Sequence, residues 1–142
     1  MKLGTRFAIL AAVAALSVGL FAGTAGAATA TLSIPYRGCV DGTGRNYDYT
    51  VRVQGTTRYN PSEMRVEVRL WGDDQWSDDF LSGPYVYTSE ETGFYTVDMC
   101  VNSSTLNEDW GQDEIYAGVR VYDPFTGRQF DSGESNRIHG SF

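Results

Sequence analysis

An acidic segment is the densest group of polar side chains in the chain. Its sequence is Trp71-Gly72-Asp73-Asp74-Gln75-Trp76-Ser77-Asp78-Asp79-Phe80, with four carboxylates within seven positions. Carboxylate oxygens are preferred ligands of Ca²⁺, although the glycine and glutamate spacing of an EF-hand loop is missing. A second acidic group is formed by Glu108, Asp109, Asp113 and Glu114. We interpret the segment as a solvated acidic loop without a resident metal or cofactor, and a calcium site stays open as an alternative.

The sequence has no set of residues typical of a catalytic centre. Paired carboxylates serve glycoside hydrolysis, but a chain of this size leaves little room for a substrate cleft. His139, the single histidine, lies in a polar C-terminal segment where we expect it to be solvated. Gly-x-Ser-x-Gly, His-Glu-x-x-His and phosphate-binding glycine motifs are absent. We therefore predict that the protein is not an enzyme.

Aromatic side chains flank both acidic groups and are candidates for contacting a partner. They are Trp71, Trp76, Phe80 and Trp110. Aromatic rings fill protein cores and interfaces because they combine a large apolar area with, in tryptophan, a polar edge. The alternative is that they stack on sugar rings in a carbohydrate-binding or calcium-dependent lectin-like module. A third possibility is a secreted protease inhibitor, for which Ser82-Gly83-Pro84-Tyr85 would be the exposed loop.

The segment Ala28–Ile34 is uncharged and alternates small and apolar residues. Such a segment pairs readily as an edge strand or adds to the sheet of a partner, where backbone hydrogen bonds give affinity. Leu32 and Ile34 are therefore further candidates for partner binding. The alternative is an ordinary first strand tied down near Cys39.

The elements that position these residues are strands, because the apolar residues recur with a period of two. About seven short strands are expected, near residues 31–35, 47–55, 64–70, 85–88, 94–101, 115–122 and 128–131, with a single helical turn within 107–114. Turns rich in Gly, Asp and Pro separate them, as in Asp123–Gly127. The pattern predicts an all-β fold, an antiparallel β-sandwich.

The first 27 residues predict a secretory signal peptide. Lys2 and Arg6 precede an apolar or small stretch that ends at Phe21, and Ala25-Gly26-Ala27 has the small-x-small cleavage pattern. Cleavage leaves residues 28–142 as one secreted domain with nine arginines, 18 carboxylates and a net charge of −9. That charge argues against a nucleic-acid-binding surface, and no membrane attachment is expected after cleavage.

Cys39 and Cys100 are the two cysteines of the chain. Outside the cytosol, two cysteines in a small domain most simply form one disulfide. The bond would close a loop of about 60 residues and contribute about 4 kcal/mol to stability.

Part of the chain resembles the secreted transthyretin-like domains. In those, a strand of the form V-x-V-x-L-W/Y-D leads into an acidic loop, a threonine and a Gly-aromatic turn. The matching positions here are Val66–Asp74, Ser77–Leu81, Thr88 and Gly93-Phe94, with Arg37-Gly38-Cys39 similar to the glycine and cysteine of the first strand. The resemblance covers most of residues 34–122 and implies the fold. The His and Arg-Gly-Ser patterns of the related hydroxyisourate hydrolases are missing.

A second resemblance concerns the whole chain. Small exported sandwiches with one disulfide and arginine as their basic residue are similar to secreted adaptor subunits of filamentous actinomycetes. In umbrella-shaped antibacterial toxin particles, such an adaptor joins lectin subunits to the long toxin-bearing polypeptide. We therefore expect a secreted, non-enzymatic protein-binding module, an adaptor in an extracellular complex with other secreted proteins.

Overall fold

Two antiparallel sheets make up the fold, and they confirm the predicted all-β sandwich. The computed structural model describes residues 28–57, 63–74, 77–107 and 112–142, so the predicted signal peptide lies outside the described residues. The elements are β1 (Thr31–Val40), β2 (Asn46–Thr56), β3 (Arg65–Asp73), β4 (Asp78–Thr88), β5 (Phe94–Val101), α1 (Ser103–Leu106), β6 (Asp113–Tyr122), β7 (Gln129–Glu134) and β8 (Ile138–Gly140). One sheet has the order β1-β2-β5. The other has the order β4-β3-β6-β7, and β8 also pairs with β6.

The core lies between the sheets and is built from alternate residues of each strand. In β3, Val66, Val68 and Leu70 point inward and are fully buried, as are Val51 and Val53 of β2. Since successive side chains of a strand point to opposite faces, the residues between these positions lie on the outer surfaces.

The cysteines form the predicted disulfide. Cys39 in β1 and Cys100 in β5 have Cα atoms 5.3 Å apart and are separated by 61 positions in the sequence. The bond therefore joins the two outer strands of the three-stranded sheet, both of which pair with β2.

Strand β4 begins seven residues before the predicted strand, at Asp78 rather than Tyr85. Asp73 pairs with Asp78 and Trp71 with Phe80, so much of the predicted acidic loop is the end of a β3–β4 hairpin. Residues 75 and 76 lie outside the described part. Ser82 and Tyr85 pair with Leu70 and Val68 of β3, whereas Gly83 and Pro84 lie between them at a register shift and are exposed, so the inhibitor alternative stays a prediction.

Two differences concern the end of the chain. The predicted helical turn within 107–114 falls mostly on residues 108–111, which lie outside the described part, while a helical turn is present at Ser103–Leu106 and Asp113 already starts β6. Ile138–Gly140, expected as a polar tail, forms β8. Within the described ranges, α1 has four residues, and no helix is long and apolar enough to cross a membrane.

Candidate functional site: the outer face of the five-stranded sheet

The outer face of the five-stranded sheet brings arginine and aromatic side chains together. Because β3 and β6 are neighbours in register, their outward residues meet in cross-strand pairs. These pairs are Arg65 with Tyr122, Glu67 with Arg120, Arg69 with Gly118, and Trp71 with Tyr116. Residues opposite one another in an antiparallel pair have Cβ atoms about 5 Å apart, so the eight positions form one continuous surface.

A pocket of about 320 Å³ opens on this face and is lined by Gly118. A Cβ at residue 118 would lie 3.0 Å from Nε1 of Trp71, so the glycine lets the indole approach the sheet. Trp71 and Tyr116 contribute aromatic surface to the pocket, and Arg69 and Arg120 contribute cations. Strand β7 contributes Ser132, Gly133 and Glu134.

Trp71 and Phe80 form an aromatic pair at this face. Their ring centroids are 5.5 Å apart and the rings are inclined at 71°, an edge-to-face arrangement. Such pairs add about 0.5–1.5 kcal/mol to the effect of burial alone. Phe80 is nevertheless 51% exposed, so a large part of this apolar surface is available for contact.

Tyr116 is held from two sides. Its hydroxyl donates a hydrogen bond of 2.9 Å to Oδ2 of Asp78, and the Arg137 guanidinium lies 4.7 Å from the ring centre. Burial and the hydrogen bond to Asp78 raise the pKa of Tyr116 to about 12. The phenol therefore stays neutral at neutral pH, and the Tyr116 ring, which is only 5% exposed, is a fixed part of the pocket wall and not a base.

Glu67 is a carboxylate that lies among the arginines of this face, and it is only 8% exposed. Its Oε1 accepts a hydrogen bond of 2.6 Å from Nη2 of Arg65, and its Oε2 lies 3.9 Å from Nη2 of Arg69. A charged group this buried requires such partners. Arg65 also lies 5.5 Å from the centre of the Tyr122 ring, which completes its contacts.

Two guanidinium groups have N–H donors that bind no acceptor among the described residues. Nε of Arg69 is buried and has no hydrogen-bond partner among the described residues. A buried donor in this condition costs about 1–3 kcal/mol. Arg120 is exposed, and its side chain has no ion pair or hydrogen bond within the described residues. Both residues belong to the pocket lining, where Nε of Arg69 is buried and the guanidinium of Arg120 is the exposed cation.

The acidic segment is partly engaged within the fold. Asp73 binds Arg137, and Asp78 accepts the hydrogen bond from Tyr116. In the part of the chain that the structure describes, no three His, Cys, Asp or Glu side chains are grouped to hold a metal ion. Glu108 and Asp109 lie outside that part, so the predicted second acidic group is described only at Asp113 and Glu114.

His139 lies in β8 rather than in a free tail. Its Nδ1 is 2.7 Å from Oε1 of Glu114, the residue opposite it in β6. Both side chains are substantially exposed, and neither of them lines the pocket beside Trp71.

The predicted partner-binding residues fall into three groups. Trp71 and Phe80 lie together on the outer face, as described above. Leu32 is buried in the core at 2% exposure, and Ile34 is half-buried against the core, so neither presents a free side chain. Trp76 and Trp110 lie outside the described residues.

At Leu32, the backbone edge of β1 is covered by the side chain of Asn136, which lies 104 positions later in the sequence. The Leu32 N–H donates to Oδ1 of Asn136 at 2.9 Å, and Nδ2 of Asn136 donates to the Leu32 carbonyl at 3.2 Å. Thr29 is also fixed, because its carbonyl accepts a 2.5 Å hydrogen bond from the buried Tyr95 hydroxyl. The start of the described chain is thus held in its own sheet, in which β1 is an edge strand.

Comparison of the chain with models of protein families, with curated proteins and with solved structures finds no match. The transthyretin-like resemblance and the adaptor resemblance therefore remain predictions.

Proposed function

We propose that this protein is a secreted, non-enzymatic module that binds a protein partner on the outer face of its five-stranded sheet. The observation that carries the proposal is the pair of half-buried Trp71 and exposed Phe80 beside Arg65, Arg69 and Arg120. Tryptophan and arginine are the residue types most enriched at the energetic centres of protein interfaces, and phenylalanine is enriched in their cores.

The rigidity of the face supports this function. Trp71 and Tyr116 lie on β3 and β6, which are both interior strands of the sheet, and Tyr116 is held by Asp78 and Arg137. Side chains that are fixed before binding lose little conformational entropy when a partner docks, so more of the contact energy contributes to affinity.

The compartment is proposed on two grounds. The N-terminal sequence has the features of a signal peptide, and a disulfide is stable in oxidising compartments such as the extracellular space. The more specific role, an adaptor in an extracellular toxin complex, follows from the second resemblance and requires at least one protein-binding face such as this one.

A capture experiment tests the proposal. The tagged protein is incubated with culture supernatant of its native organism, in parallel with a Trp71→Ala/Phe80→Ala variant and a Phe125→Ala control. Phe125 is 88% exposed at the β6–β7 turn and does not line the pocket. The control therefore removes an exposed aromatic ring at a different place on the surface. We expect a secreted protein that is retained by the wild type and the control and lost by the double variant. Capture of no protein, or equal capture by all three, contradicts the proposal.

A carbohydrate-binding module is the second candidate, because Trp71 and Tyr116 combine with polar side chains in a pocket of about 320 Å³. Pockets of this size suit small ligands. A glycan array probed with and without calcium distinguishes the two functions. Glycan binding that Trp71→Ala abolishes would favour the carbohydrate function over the protein-binding one.

A further inference from the structure

The pocket beside Trp71 contains guanidinium groups with N–H donors that bind no acceptor among the described residues. Glu67 is bound by Arg65 at 2.6 Å and has Arg69 at 3.9 Å. Arg120, which faces Glu67 from β6, has no counter-ion within the described residues, and Nε of Arg69 is buried without an acceptor. Three of the nine arginines in residues 28–142 thus surround one carboxylate, in a part of the chain with a net charge of −9.

We propose that this pocket receives an acidic side chain, a glutamate or an aspartate, of the partner protein. The inference rests on the proposed function and names the chemistry of the group that docks. The carboxylate accepts hydrogen bonds from Arg69 and Arg120, and its aliphatic stem lies against Trp71. Guanidinium groups suit this role because they bind carboxylates through paired, charge-assisted hydrogen bonds.

The charges in the pocket favour a single negative charge. Glu67 and Glu134 both line it, and Arg137, which lies 3.8 Å from Glu134, is already bound to Asp73. Arg65, Arg69 and Arg120 together with Glu67 and Glu134 leave one positive charge, which a single carboxylate balances and a doubly charged phosphate exceeds.

The donors of the pocket also favour a side-chain carboxylate over the C-terminal carboxylate of a partner. A C-terminal carboxylate is typically captured by a concave group of free backbone N–H donors. The pocket is lined by β3, β6 and β7, which pair with their neighbours in the sheet, so the charged donors of its lining are the side chains of Arg69 and Arg120.

Peptide selection provides the test. A phage-displayed library of random linear peptides is selected on the purified, disulfide-bonded protein, and the enriched peptides are synthesised with each acidic residue unchanged or replaced by its amide. We expect an acidic residue beside an apolar one in the enriched sequences. Replacing Glu by Gln in the peptide should weaken binding about tenfold or more, as the loss of a charge-assisted hydrogen bond does. This change leaves the protein itself intact, so the result does not depend on the folding of a variant.

Protein variants locate the contact. Arg69→Gln and Arg120→Gln should each weaken peptide binding about tenfold, and Arg120→Lys, which keeps the charge but loses the paired geometry, should weaken it less. Arg128→Gln is the matched control because Arg128 is an exposed arginine in the β6–β7 turn outside the pocket. Circular dichroism confirms that each variant is folded.

Several results would overturn the inference. Enriched peptides without an acidic residue, or binding unaffected by Glu-to-Gln replacement, refute it. Binding of glucuronate but not glucose, together with no enriched peptide, assigns the pocket to an acidic sugar instead. If a secreted partner is captured through Trp71 and Phe80 but Arg69→Gln and Arg120→Gln have no effect, the carboxylate assignment fails while the proposed function stands. If no partner is captured, the proposed function fails.

Discussion

Replacing Glu67 by Gln separates the stabilising role of this carboxylate from its effect on binding. Glutamine has nearly the same shape and can still accept a hydrogen bond from Arg65, so the change removes the charge and little else. Without Glu67, the three neighbouring arginines Arg65, Arg69 and Arg120 face one another with no counter-charge between them.

The expected loss of stability follows from the contacts of Glu67. A hydrogen bond between charged groups contributes about 1.5–3 kcal/mol, and a solvent-exposed ion pair contributes about 0–1 kcal/mol. Glu67 is nearly buried, but the side chains of Arg65 and Arg69 are 47% and 32% exposed, so solvent screens both interactions. We therefore expect the free energy of unfolding to fall by about 1–2 kcal/mol.

Urea unfolding followed by tryptophan fluorescence measures this change. For a slope of about 1.5 kcal/mol per molar urea, the midpoint should fall by about 1 M. Glu91→Gln, an exposed carboxylate in the β4–β5 turn, is the control and should leave the midpoint in place. The same Glu67→Gln variant should bind acid-containing peptides more tightly, because a repelling charge has left the pocket. A variant that is as stable as the wild type, or one that binds these peptides more weakly, refutes this account of the pocket.

Two further predictions concern the stability of the fold. Replacing Cys39 and Cys100 together by Ser should lower the free energy of unfolding by about 4 kcal/mol, because the bond closes a loop of 61 positions, and urea unfolding of the variant without reductant measures the loss. Hydrogen bonds from Thr43 and from the backbone of Arg45 lower the pKa of Asp41 from 3.8 to about 2, so the stabilisation by its charged form is complete above pH 3.8 and is lost as the pH falls through 2. Asp41→Asn should therefore be less stable than the wild type at neutral pH, and its stability should change less with pH in that range. Equal pH dependence of the two proteins would contradict the assigned role.

Most of the fold could be predicted because the alternation of apolar and polar residues is visible within a single strand. Val66, Val68 and Leu70 alternate with charged residues, and this pattern alone places β3 in the sequence and identifies its buried face. The strand start at Asp78 could not be predicted in this way. Its first residues are acidic and exposed, and they become a strand because β3 pairs with them across the hairpin. Likewise, β8 is a strand because β6 offers it an edge.

The candidate site was predicted only in part for the same reason. Trp71 and Phe80 are conspicuous as aromatic residues beside an acidic segment. Arg69 and Arg120 are not, because 50 residues separate them in the sequence and the pocket exists only when β3 and β6 are neighbours in register. The alternation of the sequence places Tyr116, Arg120 and Tyr122 on one face of β6, but only the strand order places that face beside Arg69.

The contact between Asn136 and Leu32 has a consequence for the order in which the chain completes its fold. The side-chain amide donates and accepts as a peptide group would, so Asn136 acts as a one-residue substitute for a neighbouring strand, at a sequence distance of 104 positions. Strands β1 and β2 can pair early because they are close in sequence, but a growing chain that has not reached Asn136 leaves the backbone of Leu32 open. Synthesis of the C-terminal segment, and not the pairing of β1 with β2, is therefore the event that covers the backbone of Leu32 at this edge.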